Sequence, residues 1–434
     1  MNTPDLLTHL RTHATPLILS RGGDLAWDDA EIHRAAWLAD PEEYVLLALV
    51  PGVQPWQRAR VLLRTLTASW VDLAEPTRDV LGKAIRALLF GVPPAQVITV
   101  LLAVRRMRAN HKHVTRAVVA FVLEHPDADE LIEARRPALV DCLEHALGKA
   151  TARACARLVA EGDTGSPYLR DRLLRFTTDP QAAIRRLRAL HAPGTHNAVA
   201  PHDPPAPLDP VREDPQVVTP TNRGDIAATL VHLYRGGPEA ELRPALAGYV
   251  AEVTRDLPRM AGHVALVFDA SASMRGYGDR EWAVMSQAAA LRQVLAAICD
   301  RLDVIEVGGA EGRPEGATDL ATGLLDAIDT KPDLVAIVTD GYENTFPGDL
   351  ARVAATLPRA GVTTPVLLCQ AMFTRSDDLT YRTPAPELPR FRFWHQDDFA
   401  ELLTWMFAHC APGRAWIRAA TLNDLEVRQG GVRT

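Results

Sequence analysis

Along the first 190 residues, apolar positions recur every three or four residues: Leu81, Ile85, Leu88 and Leu89; then Val97, Leu101 and Val104; then Val114, Val118, Phe121 and Val122. That period lines one face of a helix. Breakers separate the runs at Pro51-Gly52, Pro76, Gly91, Pro93-Pro94, Pro126, Pro137, Pro167 and Pro180, several of them where a first-turn proline would start the next helix. Alternating apolar-polar runs are absent. The pattern predicts an all-α region over 1–191, with helix pairs of similar length at 54–92, 93–125 and 126–162, as in a solenoid. No repeated sequence signature accompanies it.

Residues 192–220 break the pattern. They are dense in proline and carry no aromatic residue, a composition that buries too little apolar surface to offset ordering. An extended linker or long surface loop is predicted there. A connecting helical pair follows within 221–258, at about 223–235 and 238–256. From His263 the runs become short and apolar, the first of them rich in valine: 263–271, 302–309, 334–341, 364–370 and 391–395. Such runs suit strands buried on both faces. Helical segments at about 280–300, 319–329, 347–359 and 397–410 separate them. Strands alternating with helices predict a doubly wound parallel α/β domain over 259–412, with a C-terminal extension at 413–434.

Composition sharpens this picture only by region. The 434 residues carry a net charge of -7, which excludes a uniformly basic nucleic-acid coat protein. Residues 1–190 are nonetheless net +3 and the remainder net -10, so the two halves are expected to differ in partners. Five scattered cysteines, Cys142, Cys155, Cys299, Cys369 and Cys410, form no CxxC pair and read as small buried hydrophobes in a reducing compartment. Neither a secretory signal nor a run of roughly 20 apolar residues is present. The expectation is a cytoplasmic protein with no membrane association.

The candidate chemistry lies at the predicted strand ends, where doubly wound sheets bind ligands. The first strand ends in Asp269-Ala270-Ser271-Ala272-Ser273, the helix near 320 is preceded by Gly316-Ala317-Thr318-Asp319, and the central strand ends in Thr339-Asp340-Gly341. A D-x-S-x-S turn sets one carboxylate and two hydroxyls around a point, and a third hydroxyl and second carboxylate approach from neighbouring loops. Such an all-oxygen set suits a hard divalent cation, Mg²⁺ or Mn²⁺. With few carboxylates in direct contact, the ion keeps a position for an acid from a partner. The bland alternative is a helix-capping turn at Asp269. A phosphatase of the haloacid dehalogenase type needs a second acid where Ser271 stands. The glycines of 307–316 miss the GxGxxG spacing. Asp319 is either an outer support of the site or a helix-start acid.

These three segments, D-x-S-x-S, G-x-T and T-D-G in this order, resemble a von Willebrand factor A (vWA) domain with its metal-ion-dependent adhesion site. The resemblance covers about 260–410. It implies that Ser271, Ser273 and Thr318 ligate the metal through hydroxyls, while Asp269 and Asp340 hold it largely through bound waters. The chain departs from the family in having Gly316-Ala317 before the threonine and a short 308–317 stretch with little room for a small antiparallel edge strand.

In the amino-terminal half, Arg105, Arg108, Lys112 and Arg116 are spaced i, i+3, i+7 and i+11, one basic face if a helix runs unbroken through Asn110. That face is either solvated or a phosphate grip with salt-dependent affinity. Arg185, Arg186 and Arg188 form a smaller cluster with the same two readings. Asp28-Asp29 and Glu42-Glu43 read as helix-start acids. His111, His113 and His125 lack further ligands at zinc spacing. The helix pairs resemble HEAT-like repeats, and their order before a vWA domain resembles both the Ro (TROVE) ribonucleoproteins, which bind small noncoding RNA, and helical-plus-vWA partners of MoxR-type AAA+ ATPases. The expectation is therefore a non-enzymatic adaptor that takes a partner's Asp or Glu at a Mg²⁺ site, that partner being an AAA+ ATPase on the second resemblance. The alternative is a Ro-like RNA-binding protein using the basic helical face.

Overall fold

A computed structural model describes residues 1–20, 22, 24–194, 197–209, 225–310, 313–373 and 382–431. The chain divides into two compact units, Met1–Val211 with Asp424–Thr434, and Arg212–Asn423. Among the described residues, no helix is long and apolar enough to cross a membrane. All five cysteines are free and buried.

The first unit is helical because its periodic apolar runs are punctuated by good starts. Pro41, Pro55, Pro94, Pro167 and Pro180 each open a helix, where a missing N–H costs nothing. Asp40 and Asp179 cap two of them by accepting backbone N–H groups. Two helices occupy each of the three predicted spans: Pro55–Thr67 and Glu75–Gly91, Pro94–Arg106 and Lys112–Val119, Ala128–Leu147 and Lys149–Ala160. Their inward leucines and valines, such as Leu62, Leu88, Leu101 and Val118, are almost wholly buried, each worth about 1.5–3 kcal/mol. One two-residue antiparallel pair, Ile18–Leu19 with Leu25–Ala26, interrupts the helices; it is too short to show as alternation.

Part of the proline-rich segment differs from the expected linker. Ala206 N donates to Phe90 O at 3.1 Å, and Leu208 is buried. Asp209 accepts from Arg58 at 2.7 and 2.9 Å and from Gly52 N at 2.9 Å. Gly91 permits this approach, since a Cβ there would lie 2.6 Å from Leu208 Cγ. One leucine and one aspartate suffice because the helices already offer a formed surface. The rest of the predicted linker, 195–196 and 210–220, lies outside the described residues.

The second unit is built on five parallel strands: β1 (Met260–Asp269), β2 (Cys299–Val307), β3 (Leu334–Thr339), β4 (Val366–Ala371) and β5 (Arg390–Phe393). Their order is β2-β1-β3-β4-β5. β1, β3 and β4 are buried on both faces, which explains their unbroken apolar runs. One face (Ala265, Val267, Val335, Ile337, Leu368) packs on Leu320 and Leu324 of the helix Leu320–Asp329 and on Leu350 of Asp349–Thr356. Helices Ile226–Tyr234 and Glu239–Thr254 precede the sheet. The helix Ala411–Gly431 occupies most of the predicted C-terminal extension, and within it Trp416 Nε1 donates to Pro258 O at 2.8 Å. The short 308–317 stretch holds a two-residue hairpin, Gly309–Ala310 with Arg313–Pro314.

The strand order reverses direction between β1 and β3, so loops leaving their carboxyl ends diverge and open a crevice. Asp269 is the last residue of β1 and Thr339 the last of β3.

Candidate metal centre

Asp269 is fully buried, held by the two strand ends. Its Oδ1 accepts from Ser271 N at 2.9 Å, and its Oδ2 accepts from the Thr339 hydroxyl at 2.5 Å. Ser271 Oγ and Ser273 Oγ are 3.1 Å apart. Ser273 is also near enough to the Asp340 carboxylate to favour its charged form, and Asp340 Oδ1 accepts from Tyr342 N at 3.1 Å. Asp269, Ser271 and Ser273 are thus linked through one turn, with Asp340 approaching Ser273 from the end of β3.

The fifth, Thr318, is brought in by its backbone. Ala272 N donates to Gly316 O and Glu315 N donates to Ala270 O, both at 3.1 Å, while Thr345 N donates to Thr318 O at 3.2 Å. Gly308 makes this layering possible: it has φ +76°, and a Cβ there would sit 2.8 Å from Ser271 Cα. Thr318 is fully buried, and among the described residues its hydroxyl has no hydrogen-bond partner. A buried unpaired hydroxyl costs about 1–3 kcal/mol, which an ion accepting its lone pair would recover.

The two carboxyls lean the same way. Burial pushes Asp269 up to about 6, with the Asp340 charge adding to it and the Thr339 and Ser271 hydrogen bonds opposing it. Burial also raises Asp340, against the Tyr342 and Ser273 hydrogen bonds and the Arg382 guanidinium. Two buried acids whose charged forms are disfavoured, with the Ser271 and Ser273 hydroxyls on the same turn and the Thr318 hydroxyl on the loop paired with it, fit a hard dication by donor type and by charge.

Of the two readings of Asp319, the helix-start acid is the one the structure shows, while Thr339 gains a role the sequence did not give it. Asp319 caps the helix Leu320–Asp329, accepting from Thr322 N at 3.1 Å and from its hydroxyl at 2.8 Å. Thr339, which the sequence reading passed over, is the residue that couples β3 to Asp269. Its signal was its place directly before Asp340 at a strand end.

The expected basic face does not form. The helix Pro94–Arg106 ends before Arg108, which adopts φ +57°, and a new helix starts at Lys112. Arg105 instead pairs with Asp141 at 3.5 Å. Lys112 and Arg116 line a groove of about 960 Å³ with Trp70, Lys83, His113 and Arg175. Two members of the second basic cluster are structural, since Arg186 is buried and donates to Leu123 O at 2.7 Å and Arg188 donates to Val159 O, while Arg185 is exposed beside Asp129. His113 stacks on Trp70 at 4.0 Å, and His125 is buried beside Phe90 and Phe121, so His111, His113 and His125 share no ligand site.

Asp29 corrects a further expectation. It stands at the start of the helix Ala30–Ala39 but makes no capping bond. Its side chain is buried among His9, His33, Gln57 and Trp27. Burial raises its carboxyl, yet the His33 and Gln57 hydrogen bonds outweigh that and hold it well below the usual carboxylate range.

Comparison of the chain with protein-family models, with curated proteins and with solved structures finds no match.

Proposed function

We propose that the second unit is a vWA-type adhesion domain whose Mg²⁺ or Mn²⁺ is held by Asp269, Ser271, Ser273, Thr318 and Asp340, and that the protein is a non-enzymatic adaptor. The fully buried Thr318 hydroxyl, unpartnered among the described residues and on a loop hydrogen-bonded to the Ala270–Ala272 turn, together with two buried carboxyls whose charged forms are disfavoured, is the observation that carries this reading. When bound, the ion supplies an electrophilic position for an outside carboxylate. The chain's own part is to pre-position the oxygens: Thr339 holds Asp269, the Ser271 and Ser273 hydroxyls meet, and Gly308 lets the Thr318 loop close on Ser271. The partner presents an Asp or Glu, and an AAA+ ATPase is the class implied by the domain order. The helical unit, HEAT-like in its pairing, adds a second surface.

The test is calorimetry of the EDTA-stripped chain with Mg²⁺ and Mn²⁺. One site per chain is expected, lost in Asp269→Ala and weakened in Thr318→Val. Absence of binding heat in the folded wild-type protein overturns the reading.

One observation favours a second reading, RNA binding in the manner of the Ro proteins: the groove lined by Lys83, Lys112, Arg116 and Arg175 also presents Trp70 and His113, and cations beside aromatic rings suit phosphates and bases. It predicts nucleic acid in the purified protein, released with steep salt dependence. A clean protein ultraviolet spectrum counts against it.

A further inference from the structure

A separate group of ligand-type side chains belongs to the first unit alone and does not depend on the reading above. It arises from two i, i+4 pairs. His9 and His13 lie at the end of the helix Thr3–Thr12, and Asp29 and His33 lie at the start of the helix Ala30–Ala39. Residues four apart share a helix face, so each pair points one way, and the two pairs meet.

They meet at a single atom. Asp29 Oδ2 has His9 Nε2 at 2.8 Å, His33 Nε2 at 3.4 Å and His13 Nδ1 at 3.4 Å. Donor atoms of His9, Asp29 and His33 all lie within 4.8 Å of one another. A tetrahedral ion with metal–nitrogen bonds of about 2.0–2.1 Å separates its ligands by about 3.3–3.4 Å. One carboxylate oxygen also has too few lone pairs to accept from every nitrogen gathered round it, for Gln57 Nε2 is there too at 2.8 Å. The site is enclosed: the side chains of His33, Asp29 and His9 are 0%, 4% and 18% exposed.

The surroundings are built for ligation. His33 Nε2 donates to Gln57 Oε1 at 2.9 Å and Nδ1 lies 2.7 Å from the Tyr44 hydroxyl; an ion would displace the Nε2 proton, and Tyr44, able to accept as well as donate, can then hold the Nδ1–H tautomer. Asp29 Oδ1 is held by Trp27 Nε1 at 2.7 Å and Arg60 Nε at 2.9 Å, so Oδ2 faces the histidines. Arg60 also pairs with Asp28 at 2.7 Å. Two carboxylates against one guanidinium leave one negative charge for the histidine side to balance.

We propose that His9, Asp29 and His33 bind a transition-metal dication of the zinc class, with His13 the nearest further donor. Two imidazoles and a carboxylate select this class over Mg²⁺, which prefers oxygen. Binding replaces the hydrogen bonds by which Gln57 now bridges Asp29 and His33.

The experiment titrates Co²⁺, then Zn²⁺, into the full-length, EDTA-stripped chain in excess Mg²⁺. Expected are one Co²⁺ per chain with a visible ligand-field band, displaced by Zn²⁺, and affinity at least about tenfold weaker in His9→Gln. His33→Gln is expected to lose the band. His111→Gln, outside the ligand set, is expected to keep it. Asp269→Ala is also expected to keep it, which separates this site from the magnesium reading. If stoichiometric Co²⁺ binding is absent, or is unchanged in His9→Gln, the cluster is an ion-pair network balanced by a histidine proton and the proposal fails.

Discussion

The Thr339 hydroxyl donates to Asp269 Oδ2 at 2.5 Å and accepts from Gly341 N at 3.0 Å. This one side chain ties the carboxyl end of β1 to the turn that follows β3. It places Asp340, the next residue, on the loop that faces Ser273, and it holds one Asp269 oxygen while Ser271 N holds the other.

Thr339→Val keeps the side-chain shape and removes both hydrogen bonds. The expected cost is about 1–3 kcal/mol of stability, because Asp269 loses a donor while buried. A loss of about tenfold or more in Mg²⁺ affinity is also expected, as for other residues that orient metal ligands. Denaturant unfolding and calorimetry check the two effects, and unchanged Mg²⁺ affinity would show that Asp269 needs no such support.

The Asp269 carboxyl predicts a pH dependence. Its folded value, about 6, lies above the ordinary 3.8, so the folded state holds this proton more tightly than the unfolded chain. The resulting stabilisation is present below about pH 4 and is lost as pH rises through about 6. In metal-free protein at pH 7, Asp269→Asn is therefore expected to be more stable than the wild type by about 1–2 kcal/mol. That advantage shrinks toward pH 4 and reverses in saturating Mg²⁺. Thermal unfolding at pH 4.5 and 7, with EDTA or Mg²⁺, reads the sign directly.

Gly308→Ala tests how closely the loops layer. The new methyl meets Ser271 Cα at 2.8 Å, on a backbone of φ +76° that alanine adopts only with strain. A loss of about 1–3 kcal/mol is expected, with weaker metal binding because the Thr318 loop is pushed away. A control at Gly361, also at positive φ but with open space around its Cβ position, separates backbone strain from the clash.

Asp209→Ala removes the carboxylate that pairs with buried Arg58 and accepts from Gly52 N. Because Asp209 is 44% exposed, water replaces part of the lost interaction, and a cost of about 1–2 kcal/mol is expected. The segment 206–209 is expected to become a site of rapid limited proteolysis. Equal cleavage rates in wild type and variant would mean that Leu208 and the Ala206–Phe90 hydrogen bond hold the segment without Asp209.

The helical periods, the first-turn prolines and the short apolar runs are local signals, and the elements they predict are present at nearly the predicted positions. The five strands fall within a few residues of their runs, and for β1, β3 and β4 the reason is that a strand buried on both faces has to be apolar throughout. The placement of Asp269 and Asp340 at strand ends was likewise legible, since the carboxyl end of a strand shows in one sequence.

Other features depended on distant parts of the chain. Strand order brought the loops after β1 and β3 together, and nothing in the spacing between residues 269 and 339 encodes that adjacency. Arg105 and Arg108 looked like part of one face until the chain turned at Arg108, and Asp29 looked like a helix cap until three histidines closed over it. Leu208 and Asp209 sat in a composition that argued for a free linker, yet they found a surface formed by Arg58, Phe90 and Gly91. Periodicity records how a segment folds on itself; a buried charge or a shared ligand atom depends on which segments meet, and the packing of the whole chain sets that.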